Sequence, residues 1–194
     1  MMYKIFRFIL SPIFRLWYNP KIINKEALNV EGPIVIAGNH KHVYDQCPTI
    51  ISTKRIITYM AKKEYFEGKL AWFFKAVHCI PVDRGNKKDT ASSKALEVLK
   101  QGGAIGIFPE GTRNKTDKFL LPFKFGAVSL AKKSNAYIIP FGITGEYKFR
   151  SKNLTVRFGK PFKVTGDLES ANEKLYNEIK KLMEENIKTA NLKN

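Results

Sequence analysis

The sequence predicts a single α/β domain, built as a mixed sheet flanked by helices and preceded by an amphipathic helix at a membrane interface. Three observations carry this. Short apolar runs of strand length alternate with stretches whose apolar residues recur at helical spacing. The length, 194 residues, suits one domain with a sizeable core. The N-terminus is a wide aromatic face with a thin basic stripe, which divides the chain into a helix over 1–20 and a globular domain over 21–194.

Residues 1–18 read MMYKIFRFILSPIFRLWY, and the longest stretch without charge, 8–14, is seven residues. A spanning helix needs about 20. A small-residue cleavage site, the mark of a secretory signal, is missing. On a helical wheel Lys4, Arg7, Ser11 and Arg15 share one narrow face, and Ile5, Phe6, Phe8, Ile9, Ile13, Phe14, Leu16 and Trp17 cover the rest. That pattern fits a helix lying in the bilayer interface, with its basic stripe toward anionic headgroups. It also fits a helix docked on the protein's own core. Pro12 is expected to kink or split it.

The apolar run IVIA over 34–37, ended by Gly38, predicts a buried strand. Further strands are expected over 55–61, 79–82 and 104–108. One over 136–145 is expected to break at Pro140, and 154–158 alternates like an edge strand. Helices are predicted over 64–77, over 90–101 up to Gly102-Gly103, and over 126–133. A Ser170/Glu173 capping box opens a C-terminal helix.

The charge balance is 34 Lys and Arg against 17 Asp and Glu, a formal +17. Such a field implies an anionic partner: nucleic acid, an anionic bilayer or an acidic carrier protein. Nucleic-acid binding would interleave aromatics with the basic face. Here the aromatics gather in the N-terminal helix and in core-like runs, so no nucleic acid is expected. Cys47 and Cys79 lie in apolar surroundings without CxxC spacing and read as reduced, buried thiols, which favours the cytoplasmic side.

Polar clusters follow three of the strands, where sites gather in open α/β sheets. After 34–37 comes Asn39-His40-Lys41-His42-Val43-Tyr44-Asp45, in which a carboxylate five positions after His40 can orient it as a general base. No G-x-S-x-G setting supplies a nucleophile, so the base is expected to act on a substrate hydroxyl. The His40/His42 pair has no third ligand at zinc spacing, and no metal site is expected. After 104–108 comes Pro109-Glu110-Gly111-Thr112-Arg113, where Gly111 permits close backbone approach and Arg113 offers a planar fork for a phosphate. After 79–82 comes Asp83-Arg84, and Lys62 closes the second strand.

Together these residues resemble the glycerolipid acyltransferase family, and within it the bacterial 1-acylglycerol-3-phosphate acyltransferases. The likeness runs over about residues 30–162. Asn39-His40 with Asp45 looks like the family's NHx4D box, Ile80-Pro81-Val82-Asp83-Arg84 like its second motif, Phe108-Pro109-Glu110-Gly111-Thr112-Arg113 like its third, and Ile138-Ile139-Pro140 like its fourth. Two departures stand out: the family often has Ser where this chain has His42, and commonly Gly where it has His78.

The resemblance implies a glycerol-3-phosphate acyltransferase-like fold. It implies acyl transfer from an acyl thioester, on acyl carrier protein or coenzyme A, to the sn-2 hydroxyl of 1-acylglycerol 3-phosphate, giving phosphatidic acid. His40 would be the base and Asp45 its support. Arg84 and Arg113 would hold the acceptor's phosphate, Glu110, Gly111 and Thr112 would shape its pocket, and Lys62 would assist. The thioester is a co-substrate and no cofactor is implied. Expected partners are a lysophosphatidate-type lipid, the thioester carrier and an anionic membrane surface, at the cytoplasmic face of the cell membrane. Another glycerol-phosphate or lysophospholipid acceptor is the alternative within the class, and a non-catalytic membrane-surface protein the alternative outside it.

Overall fold

A computed structural model of the protein describes residues 2–83 and 90–191. In chain order the elements are α1 (Met2–Tyr18), β1 (Lys21–Ile23), β2 (Ile34–Gly38), α2 (Gln46–Ile50), β3 (Ile57–Lys62), α3 (Ala71–Ala76) and β4 (Ile80–Val82). Then come α4 (Ala91–Lys100), β5 (Ala104–Ile107), α5 (Gly126–Ser134), β6 (Tyr137–Thr144), β7 (Thr155–Phe158), β8 (Phe162–Lys163) and α6 (Leu168–Asn191).

All these strands join one sheet in the order β1-β7-β6-β2-β5-β3-β4, with β8 also on β6. Every pairing is parallel except those of β6 with β7 and β8. This is the mixed sheet that the sequence predicts. β2 lies between β5 and β6 and is buried along its whole length, which accounts for its continuous apolar run.

Alternation along the strands builds two cores. Val35, Ala37, Ile105 and Ile138 meet Leu99 of α4, Val128 of α5 and Leu175 and Ile179 of α6. Ile34, Ile36, Ile139 and Phe141 meet Leu28, Ile57 and Phe158 on the other face. Each fully buried Val, Ile, Leu or Phe among these contributes about 1.5–3 kcal/mol.

Several elements differ from expectation. β6 runs unbroken through Pro140, whose carbonyl accepts from Gly159 N at 2.8 Å. The proline's missing donor points to that same side, where the chain passes from β7 to β8, so no ladder bond to β2 is lost. The 155–158 strand is interior, because β1, too short to stand out in sequence, covers its outer side. The helix over 64–77 divides into a 3-10 turn (Lys63–Phe66) and α3, with Gly68 between them. Its aromatics pack on each other and on Phe6 of α1, with Phe6 and Phe73 5.3 Å apart, rather than on the sheet. The cap of α6 is Asp167, which accepts from Ser170 N at 2.7 Å and Ser170 Oγ at 2.9 Å. Ser170 itself lies inside the helix.

The largest correction concerns α1. It is continuous through Pro12, and the two arginines of its basic stripe are bonded to the protein. Arg7 donates to the carbonyls of Thr53 and Arg55, and Arg15 to that of Ile51. Tyr3 is buried, and its hydroxyl accepts from Ile57 N at 3.2 Å. The surface turned outward is apolar, with Phe8 81% and Leu16 69% exposed and Ile9, Ile13 and Trp17 half exposed. A helical wheel gives angles between residues but not which side meets the body. The guanidiniums satisfy main-chain carbonyls ahead of β3. No helix of the described residues is long and apolar enough to cross a membrane. Both cysteines are free thiols, with burial pushing Cys47 up to about 12 and Cys79 to about 11.

Candidate active site

The site begins where β2 ends. Asn39 is buried, and its side chain exchanges two bonds with the main chain of Ile143, Nδ2 to O at 2.9 Å and N to Oδ1 at 2.7 Å. An amide thus imitates one more rung between β2 and β6. His40 follows, held at both main-chain groups. Its N–H donates to Glu110 Oε1 at 2.7 Å and its carbonyl accepts from Asn114 N at 2.6 Å. Its ring lies on Phe108, centroids 4.0 Å apart and planes 9° from parallel.

His40 Nδ1 meets Asp45 Oδ2 at 2.9 Å. The same oxygen accepts from Lys41 N at 2.7 Å and His42 N at 2.6 Å, so the turn into α2 closes on the carboxylate. Oδ1 accepts from Tyr147 Oη–H at 2.9 Å. A carboxylate only accepts, so the network assigns the proton to His40 Nδ1 and the lone pair to Nε2. Nε2 has no partner among the described residues. The His40 side chain is 18% exposed and that of Asp45 1%, which suits a base that meets substrate and a support that does not.

Glu110 is buried, and both its oxygens are occupied by main-chain donors, His40 N and Leu121 N at 2.9 Å. Desolvation raises its pKa above the ordinary carboxylate value, and those two bonds oppose the shift. Its geometry is that of a brace between the His40 turn and the 110–121 segment. Gly111 adopts φ +69°, and a Cβ there would stand 2.9 Å from the Lys124 side chain. Lys124 thus lies close across the turn, and a side chain at 111 would displace it as well as strain the positive φ.

Thr112 and Arg113 are exposed, and Arg113 makes no hydrogen bond or ion pair with the described residues. Lys62 is exposed at the end of β3. Since β5 lies between β2 and β3, the segments leaving these strands are neighbours. Lys62, Lys124 and Arg113 thus line the same edge as His40. Arg84 lies outside the described residues. His42 stacks on Tyr147 at 4.5 Å, and its Nδ1 accepts from Tyr44 N at 3.3 Å. No carboxylate among the described residues orients it, so the two histidines are not equivalent. Sequence reasoning missed Lys124 and Tyr147; neither carries a local signal, and Tyr147 is 102 positions from Asp45.

A partly exposed histidine, bonded to a buried carboxylate and bordered by cations that have no partner among the described residues, has the make-up of a transferase site for an anionic substrate. The model of the family described as Acyltransferase matches residues 19–144, and the chain belongs to that family. A 1-acyl-sn-glycerol-3-phosphate acyltransferase of Bacillus subtilis is 34% identical over 166 residues, covering 82% of each chain. One from Streptococcus pneumoniae is 26% identical over 168 residues, covering 83% of this chain and 57% of its own length. The crystal structure of the 1-acyl-sn-glycerophosphate acyltransferase PlsC from Thermotoga maritima has the same fold, with a TM-score of 0.72, 20% identity, and 92% of this chain and 80% of that one covered.

Proposed function

We propose that this protein transfers an acyl group from a thioester to the sn-2 hydroxyl of 1-acylglycerol 3-phosphate, giving phosphatidic acid. The observation that carries this is the His40–Asp45 pair, 2.9 Å apart, with no partner on Nε2 among the described residues. Nε2 takes the hydroxyl proton as the alcohol oxygen bonds to the thioester carbonyl, and Asp45 stabilises the imidazolium. The tetrahedral intermediate then collapses, the C–S bond breaks, and His40 returns the proton to the departing thiolate. A thiolate is a good leaving group, so activating the alcohol is the demanding step. No resident cofactor enters.

Arg113, Lys62 and Lys124 bind the phosphate, together with Arg84, and Thr112 borders the acceptor. The names of the Bacillus and Streptococcus relatives support the choice of acceptor. The outward apolar face of α1 seats the protein on the membrane, where a lysophospholipid resides. The formal +17 supports an anionic surface and an acidic carrier protein as donor. The free thiols support the cytoplasmic face.

The test is transfer of a labelled acyl group to 1-acylglycerol 3-phosphate in anionic vesicles, with acyl carrier protein and coenzyme A thioesters in parallel and His40→Ala beside wild type. Phosphatidic acid formed by wild type, with turnover in H40A down by at least about 10²-fold, is the expected result. No product from wild type with either donor would refute the acceptor, and an active H40A would refute the base.

A further inference from the structure

Tyr147 reaches the dyad from far along the chain. It follows the turn after β6, in which Gly145 takes φ +88° and a Cβ would collide with the main chain of Asn153. That turn brings the phenol back over the end of α2. The ring is fixed by contacts that do not involve its hydroxyl: the stack on His42 and edge contacts with Phe14 and Tyr18 of α1 and with Tyr44.

The two oxygens of Asp45 are unequally used. Among the described residues Oδ2 takes three donors, all from residues 40–42, and Oδ1 takes the Tyr147 hydroxyl alone. The torsion that sets a carboxylate plane is broad. Three bonds to one oxygen fix its position but leave the group free to pivot about it.

We propose that Tyr147 is a positioning residue for the base: its hydroxyl pins the second oxygen of Asp45 and so fixes the carboxylate plane, and with it the imidazole of His40. This rests on the reading of His40 and Asp45 as the catalytic pair. Burial raises the phenol's pKa, so the hydroxyl stays a donor wherever the dyad operates. Asp45 also acts on Glu110, Cys47 and Tyr59, none of which bonds to its carboxylate, and the ring of His42 faces the phenol.

Tyr147→Phe keeps the ring and removes only the donor. A lost hydrogen bond to a charged group predicts a fall in kcat of about tenfold or more, with the acceptor's KM within about twofold of wild type. With one donor fewer, Asp45 supports the imidazolium more strongly, so the acidic limb of the pH–rate profile moves to higher pH. The pH titration of the His40 ring, followed by NMR, should move the same way. The chain has three histidines, which keeps that signal assignable, and the measurement needs no turnover. Y147F with wild-type kcat, or a His40 titration superimposed on that of wild type, would overturn the proposal. A shifted titration in a protein that forms no phosphatidic acid would retain the Tyr147–Asp45 coupling and reject the assigned reaction instead.

Discussion

His40 and Phe108 lie ring on ring, 4.0 Å apart and 9° from parallel. The residue that ends the run out of β5 thus forms the floor under the imidazole. One imidazole face is apolar and closed, Nδ1 is taken by Asp45, and only Nε2 is left to meet a substrate. Asp45→Asn keeps the shape of that arrangement but must turn an N–H toward one of four donors, and it cedes the tautomer. Turnover should fall by about 10²–10⁴-fold. His42→Ala, which removes a ring that no carboxylate orients, should stay within about tenfold of wild type. Steady-state rates of the two variants side by side decide this, and the opposite ranking would make His42 the base.

Arg113 stands exposed beside the His40 turn without an ion-pair partner among the described residues. Its substitution by alanine should raise the acceptor's KM by about 10–100-fold, the worth of a charge-assisted contact, with a smaller change in kcat. Initial rates against acceptor concentration measure this, and an unchanged KM would place the phosphate elsewhere.

Because Arg7 and Arg15 are bonded to main-chain carbonyls, the outward face of α1 is apolar rather than basic. Phe8→Ser with Leu16→Ser should lower partitioning onto vesicles by more than about tenfold, given the worth of two large side chains. Raising the salt should change wild-type binding far less than that substitution does. Co-sedimentation at two ionic strengths tests both statements, and release by salt alone would return the contact to the basic residues.

Glu110 has a pKa raised above the usual 4.5, first by desolvation. Between the unfolded value and the higher native one, the folded state holds more protons than the unfolded state, so this group's contribution to stability declines as pH rises. Protonated glutamate and glutamine are close in shape. E110Q should therefore gain on wild type as pH rises from the ordinary glutamate value, about 4.5, through the higher native one in paired urea melts. A wild type that gains on the variant would mean that the two main-chain bonds outweigh the desolvation.

His78 closes α3 in the left-handed region, at φ +60°. Cys79 N donates to Phe74 O at 3.0 Å and His78 N to Lys75 O at 3.1 Å, the pair of bonds of a Schellman cap. The glycine common at this position in the resembling family suits that conformation at no steric cost. His78→Gly should stabilise the protein by about 1 kcal/mol and leave turnover unchanged, as chemical denaturation would show. A destabilised variant would mean that the tilted contact of His78 with Tyr3, 6.3 Å between centroids, outweighs the backbone strain.

What could be seen in the sequence follows the range of the interactions. His40, Asp45 and the 108–113 turn stand out because each is a local pattern past a strand end. Strands β2, β3 and β5 stand out because they are apolar along most of their length. Tyr147 and Lys124 enter the site through tertiary contacts, and nothing beside them in sequence marks them. Glu110 is apparent as a residue but not as a brace, since the donors it satisfies are main-chain groups of His40 and Leu121. Strands of three and two residues, β1 and β8, are too short for any period to show.

The inward turn of Arg7, Arg15 and Tyr3 also bears on how separable the first helix is. Cutting the chain after it would leave the carbonyls of residues 51, 53 and 55 and the amide of Ile57 without their present partners. It would also uncover the ring of Tyr147 beside the dyad. The segment is a wall of the catalytic body as well as its outermost surface, so a shortened chain lacking it would test the integrity of the active site before it tested attachment to anything outside.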